Sequence, residues 1–209
     1  MTPYYNQDGI TIYCADNRDV LPTLGRFDLL LTDPPYGIGQ DGVKISTSSH
    51  GGRKPYEFKG WDSGIPDAET FEALFKQSEN QVIWGGNYFS RYLPPKMGWL
   101  VWDKGQDICG SDCELAFTSR DSALRRRVLN RVELATDGAV HPTQKPIALI
   151  LWCLSFFPDI KTNLDPWMGS GTTLVAAKLR GLQATGIEIN EDYCKLAVER
   201  LRQGVLIPV

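Results

Sequence analysis

The sequence predicts an α/β protein built on a doubly wound, mostly parallel sheet of seven strands with helices on both faces. Two observations predict it. Short β-rich runs alternate with amphipathic stretches along the chain, the pattern of strand, crossover and strand. A length of 209 residues suits one domain over residues 1–209, and 42% hydrophobic with 22% charged residues is the composition of a packed globular chain.

The expected strands are Ile10 to Cys14, Phe27 to Thr32, Gln81 to Trp84, Trp99 to Trp102, Glu114 to Thr118, Thr162 to Leu164 and Ala184 to Ile189. Helices are expected at Asp67 to Lys76, Gly86 to Tyr92, Pro146 to Phe156, Thr172 to Arg180 and Asn190 to Gln203. Asn190 followed by Glu191 and Asp192 places acceptors and negative charge at a helix start, and Gly181 closes the preceding helix. Two stretches break the pattern. Residues 37–66 are rich in Gly and Ser without an apolar period and read as a long functional or mobile loop. Residues 119–140 carry Arg120, Arg125, Arg126, Arg127 and Arg131 against Asp121, Glu133 and Asp137, a local excess of two positive charges.

Twenty-two basic against 25 acidic residues leave no global positive field, so any contact with nucleic acid must be local. Cys14, Cys109, Cys113, Cys153 and Cys194 are odd in number and scattered, which favours a reduced, cytoplasmic protein. No metal site is expected, because Cys109 and Cys113 find only His50 and His141 as further ligands, neither at ligand spacing. The longest apolar run, Ile147 to Phe157, is about half of what crosses a bilayer, so no membrane association is expected.

Chemistry concentrates at two corners. The Phe27 strand ends in Asp33-Pro34-Pro35-Tyr36-Gly37. A carboxylate beside a proline-flanked carbonyl can accept both hydrogens of an exocyclic amino group, while the ring stacks on a planar heterocycle. A strand-terminating turn with a solvated Asp is the bland alternative. The Thr162 strand leads into Asp165-Pro166-Trp167-Met168-Gly169-Ser170-Gly171-Thr172-Thr173. Glycines at a strand-to-helix turn allow close approach of a ligand to free amide donors. The absence of Gly-Lys-Ser/Thr excludes a Walker-type loop, and Leu174 breaks the dinucleotide Gly-x-Gly-x-x-Gly spacing. About twenty residues on, Glu188 closes a strand where a carboxylate takes ribose hydroxyls. Together these describe a nucleoside site with an anionic tail and no required phosphate, which S-adenosylmethionine fits.

Asp33-Pro34-Pro35-Tyr36, Ile83-Trp84-Gly85-Gly86-Asn87-Tyr88, His141-Pro142-Thr143-Gln144-Lys145-Pro146, Asp165 to Thr173 and Gly186-Ile187-Glu188 together resemble the amino-group DNA methyltransferases of the beta arrangement, over nearly the whole chain. The resemblance implies a sheet of the S-adenosylmethionine-dependent methyltransferase type with a circularly permuted motif order. The strand entering Asp165 would lie beside the strand entering Asp33, and the Ile10 strand beyond the Gly186 strand. It further implies catalysis by Asp33, Pro34, Pro35 and Tyr36. The cofactor site would comprise Asp165, Pro166, Trp167, Gly169, Ser170, Gly171, Thr172 and Thr173, with Glu188 and Ile189 at the ribose, Asp16 at the adenine, and Asp33 beside the methyl group. Thr143, Gln144 and Lys145 would hold the methionine carboxylate, although as residues they also read as a polar loop capping the next helix. Trp167 stands where relatives more often carry Phe.

The Asp form of the tetrapeptide resembles adenine-N6 enzymes, which implies methylation of adenine in DNA with a flipped base and, for such enzymes, restriction-modification. Cytosine-N4 methylation, an RNA or protein-amide substrate, and a catalytically silent nucleic-acid-binding relative are the alternatives. Lys44, Arg53, Lys54 and Arg125 to Arg127 are the candidate DNA contacts, with a solvated face as the plain alternative for the arginines. The short candidate recognition segment, residues 119–140, predicts a short or relaxed target sequence, or recognition completed by a second subunit in a homodimer.

Overall fold

A computed structural model describes residues 1–39, 62, 64–105, 111–130 and 144–203. Among the described residues the strands are β1 (Tyr5–Gln7), β2 (Ile10–Cys14), β3 (Phe27–Thr32), β4 (Ser78–Trp84), β5 (Trp99–Asp103), β6 (Cys113–Thr118), β7 (Arg125–Val128), β8 (Thr162–Asp165) and β9 (Gln183–Glu188). They form one sheet in the order β1-β2-β9-β8-β3-β4-β6-β5-β7. The run from β2 to β4 is parallel throughout; β1 and β6 pair antiparallel with their neighbours, and β7 lies parallel to β5. The helices are α1 (Asn17–Val20), α2 (Ala68–Gln77), α3 (Ile147–Leu154), α4 (Thr172–Leu179) and α5 (Glu191–Arg202), with a 3-10 turn at Leu21–Thr23.

All seven expected strands are present, and two were not anticipated. β1 is joined to β2 by Asp8 (φ 52) and Gly9 (φ 77), a tight hairpin turn with both central residues left-handed. β7 is the arginine run itself, three of its four residues exposed at the sheet edge, where charge discourages pairing with another chain. The helix expected at Gly86 to Tyr92 is not formed. Gly85 has φ 71, and the local bonds run from Tyr88 N to Gly85 O (2.8 Å) and from Phe89 N to Gly86 O (3.2 Å), so the segment is a chain of tight turns.

Alternation along the central strands splits the core into two layers. Leu29, Leu31, Val82 and Trp84 face α3, α4 and α5, packing with Ile150, Leu174 and Cys194. Leu30 and Ile83 point the other way, onto Val20, Phe71, Leu74, Phe89 and Phe117. These strand residues are fully buried, each stabilising the fold by about 2 kcal/mol. The caps agree with the sequence: Asn190 Oδ1 accepts from Asp192 N at 3.0 Å, and Asp67 Oδ1 from Thr70 N at 2.9 Å. Since β2, β9, β8, β3 and β4 run in one direction, their carboxyl ends share one edge. Strand order reverses between β8 and β3, and there a ligand crevice is expected to open.

Candidate active site

Asp33 follows the last residue of β3 and keeps a third of its side chain exposed toward that edge. Tyr36 Oη donates to Asp33 Oδ1 at 2.5 Å, which closes the tetrapeptide on itself. The Tyr36 ring stacks on Tyr88 (centroids 4.8 Å apart, planes 14° apart) and meets the edge of Phe89. Gly85 makes this possible: a Cβ there would stand 2.1 Å from Tyr36 Cε1. Burial and the Asp33 charge push the Tyr36 phenol well above its ordinary value, so it remains a donor.

Lys145 comes from the segment just before α3 and sends its ammonium into this corner. It bonds Asp33 Oδ2, lies 3.3 Å from Tyr36 Oη and 3.3 Å from Glu114 Oε2, and sits over the Trp84 ring. Lys104 holds the other oxygen of Glu114 at 2.9 Å. A chain of alternating charge therefore runs Lys104, Glu114, Lys145, Asp33 and ends on the Tyr36 hydroxyl. Burial of Lys145 works against its charge, but the two carboxylates outweigh it and raise its pKa. Burial of Glu114 is likewise outweighed, here by two lysines, and its pKa is lowered. Asp33 differs: crowding by protein raises its carboxyl despite Lys145.

The second corner lies one strand over. Asp165, 2% exposed at the end of β8, accepts from Thr32 Oγ1 (2.7 Å) and from Trp167 N (3.2 Å) on one oxygen, and also bonds the Thr173 hydroxyl. Burial raises its carboxyl to about 6. Beyond it Gly169 (φ 50) has open space where a Cβ would stand, whereas a Cβ on Gly171 (φ 78) would meet Ala197 at 2.7 Å. Glu188 accepts from Gly169 N (3.1 Å) and Asn190 N (2.8 Å), which fixes its carboxylate at the mouth of the turn. Burial pushes it up to about 7. Ile189, just past the end of β9, is 65% exposed beside it.

Several expected residues are thus brought together: Asp33, Tyr36 and Lys145 in one corner, and Asp165, Trp167, Gly169, Thr173 and Glu188 in the next. Asn17 Nδ2 ties α1 to the Pro166 carbonyl, so Asp16 stands at the same edge, where it caps α1 and pairs with Arg18. Ser170 donates to Gln144 Oε1 at 3.2 Å, and Arg200 reaches back to Ser170 and Thr172, so these hydroxyls brace the turn. Arg125, Arg126 and Arg127 lie four strand positions from β3, about 19 Å across the sheet. Thr143, Lys44, Arg53 and Lys54, with most of the 37–66 loop and the end of the 119–140 segment, lie outside the described residues. Gly37 N, at the root of that loop, donates to Asp62 Oδ1 at 2.7 Å.

Sequence reasoning missed Glu114 and Tyr88 as parts of the corner. Glu114 opens a predicted strand, where an acidic residue reads as a solvated end. Tyr88 was in view within a motif but without a partner. Among the described residues no group of three or more His, Cys, Asp or Glu is placed to hold a metal, and no helix is long and apolar enough to cross a membrane.

The glycine turn, the carboxylate after it and the acidic corner thus meet at the strand-order reversal of an α/β sheet. Residues 76–199 match the family model described as DNA methylase, and the chain belongs to this N6_N4_Mtase family of amino-group DNA methyltransferases. It is 27% identical to the type II methyltransferase M.ScaI of Streptomyces caespitosus, over 95% of this chain and 83% of that protein. Its fold is similar to that of the M1.HpyAVI-SAM complex (TM-score 0.64, 22% identity), covering 92% of this chain and 100% of that one. The cytosine-N4-specific PvuII DNA methyltransferase also shares the fold (TM-score 0.63, 12% identity), over 98% of this chain and 90% of that one. The expected sheet and motif order are therefore borne out.

Proposed function

We propose that the protein methylates the exocyclic N6 amino group of adenine in DNA, using S-adenosylmethionine. The observation that carries this reading is Asp33, held at the carboxyl end of β3 beside the glycine turn after β8. The residues of the second corner fit that cofactor. Open space at Gly169 admits a ligand against the backbone, and the Glu188 carboxylate is fixed where ribose hydroxyls would donate to it. Exposed Ile189 offers apolar surface to the adenine, with Asp16 nearby. Lys145, expected with Thr143 and Gln144 at the methionine carboxylate, is engaged by Asp33 and Glu114 instead, which leaves Gln144 and Thr143 as the proposed holders. When bound, the cofactor supplies an electrophilic methyl group on a sulfonium sulfur.

The chain's own residues make an aromatic amino group reactive toward it. Delocalisation into the ring weakens the nitrogen lone pair. Hydrogen bonds from that amino group to the Asp33 carboxylate and the Pro34 carbonyl favour a more tetrahedral nitrogen, returning the pair to it. Positive charge on nitrogen then develops against Asp33, beside the Tyr36 ring, and its excess proton departs after transfer. Tyr36 and the 40% exposed Tyr88 supply a ring stack for a base extruded from the duplex. Asp at the first position of the tetrapeptide supports adenine over cytosine.

The test is to incubate the protein with isotope-labelled S-adenosylmethionine and unmodified duplex DNA, with RNA in parallel, and to identify labelled nucleosides by mass spectrometry. N6-methyladenine in DNA is expected. N4-methylcytosine would overturn the choice of base, and label in RNA alone would overturn the polymer. Asp33→Ala should abolish turnover while leaving cofactor binding measurable.

A further inference from the structure

Both oxygens of Asp33 already carry donors: the Tyr36 hydroxyl on Oδ1 and the Lys145 ammonium on Oδ2. An incoming amino group needs one of these places. It also becomes cationic during transfer, and an ammonium left on Asp33 would oppose that charge. Lys145 is only 6% exposed and lies over the Trp84 ring, so it has no short route to water. Glu114 Oε2 stands 3.3 Å from its ammonium, and Lys104 anchors the other Glu114 oxygen.

We propose that Glu114 is a positioning residue that takes Lys145 from Asp33 as the base amino group arrives, freeing Asp33 to accept it. The handover needs a shift of about 0.5 Å toward Glu114, because a charge-assisted bond forms near 2.8 Å. No proton moves; one ion pair is exchanged for another inside the same buried chain. Glu114 thus acts through Lys145 and touches neither the base nor the cofactor. The lysine in turn keeps Asp33 paired until a base displaces it, which spares the protein an unpaired, largely desolvated carboxylate. This inference rests on the assignment of Asp33 as the amino acceptor.

The experiment compares single-turnover methylation of unmodified plasmid DNA by the wild type, Glu114→Gln, Glu114→Gln/Lys145→Met and Asp33→Ala. Cofactor binding by calorimetry and thermal melting are measured alongside. Glu114→Gln leaves the lysine with Asp33 alone, and the transfer step should slow by about 30-fold while cofactor Kd stays within about twofold. Removing the lysine in that background should restore about tenfold of the loss, which a merely structural Glu114 would not do. Glu114→Asp keeps the charge but draws the carboxylate back by a methylene. It should slow the same step by about tenfold, and it serves as the test if the Gln variant does not fold. A wild-type rate in either Glu114 variant, or a double variant no faster than Glu114→Gln, overturns the proposal. If Asp33→Ala retains turnover, the Asp33 assignment itself has failed, whatever Glu114 does.

Discussion

Asp165→Asn should make the protein more stable in neutral solution while impairing cofactor binding. The carboxyl is 2% exposed and burial lifts it from an ordinary 3.8 to about 6, so ionising it in the folded protein costs about 3 kcal/mol. Asparagine retains the oxygen that accepts from Thr32 and Trp167, and its amide can donate to the Thr173 hydroxyl, so little bonding is lost. The sign follows from linkage. A carboxyl raised on folding stabilises the native state fully below pH 3.8, and this is lost as pH rises through about 6. At pH 5 the folded group is mostly protonated and the unfolded one mostly ionised, worth about 1.4 kcal/mol; at pH 8 nothing remains. Urea unfolding should therefore show the stability of Asp165→Asn relative to wild type rising by about 1.4 kcal/mol from pH 5 to pH 8, a midpoint change of about 0.5 M. Parallel pH dependence in the two proteins would refute the reasoning. The buried charge would then be compensated by contacts not counted above.

Two further outcomes follow from the same geometry. Gly85→Ala combines left-handed strain of about 1 kcal/mol with a Cβ 2.1 Å from the Tyr36 ring, so the ring must move. Turnover should fall about 100-fold in a labelled-methyl assay, with cofactor Kd nearly unchanged. With the Glu188 carboxyl raised to about 7, ribose hydroxyls lose their ionised acceptor as pH falls. S-adenosylmethionine affinity measured by calorimetry should weaken about tenfold from pH 8 to pH 6, and the dependence should flatten in Glu188→Gln.

Most of the sheet was legible because central parallel strands, buried on both faces, must be written in β-branched and large apolar residues, as in Leu29-Leu30-Leu31 and Val82-Ile83-Trp84. The edges were not, since an edge strand needs no apolar face. Three consecutive arginines in β7 look like a solvated loop, and only the Asp8-Gly9 pair signalled the β1 hairpin. The Gly86 to Tyr92 segment has helix-like spacing, but Gly85 turns the chain left-handed and Pro94-Pro95 stop it soon after. At the site, Asp33, Asp165 and Glu188 were legible because their motifs are contiguous in the chain. The ion pair of Lys145 with Asp33 joins residues 112 apart, and Glu114 enters from β6, so neither is encoded in local spacing.

The place of β8 in the sheet also governs how the molecule can be made. β8 sits between β3 and β9, yet it is synthesised some 130 residues after β3. Until it emerges, β3 has one open edge and Asp33 has no neighbouring corner. Pairings of such sequence separation are slow to form and leave strand edges exposed meanwhile. A nascent chain stalled before β8 therefore holds no half-built cofactor pocket with residual affinity. The second corner comes into being only when the last quarter of the chain inserts beside Asp33, so the complete site is gained in a single late step.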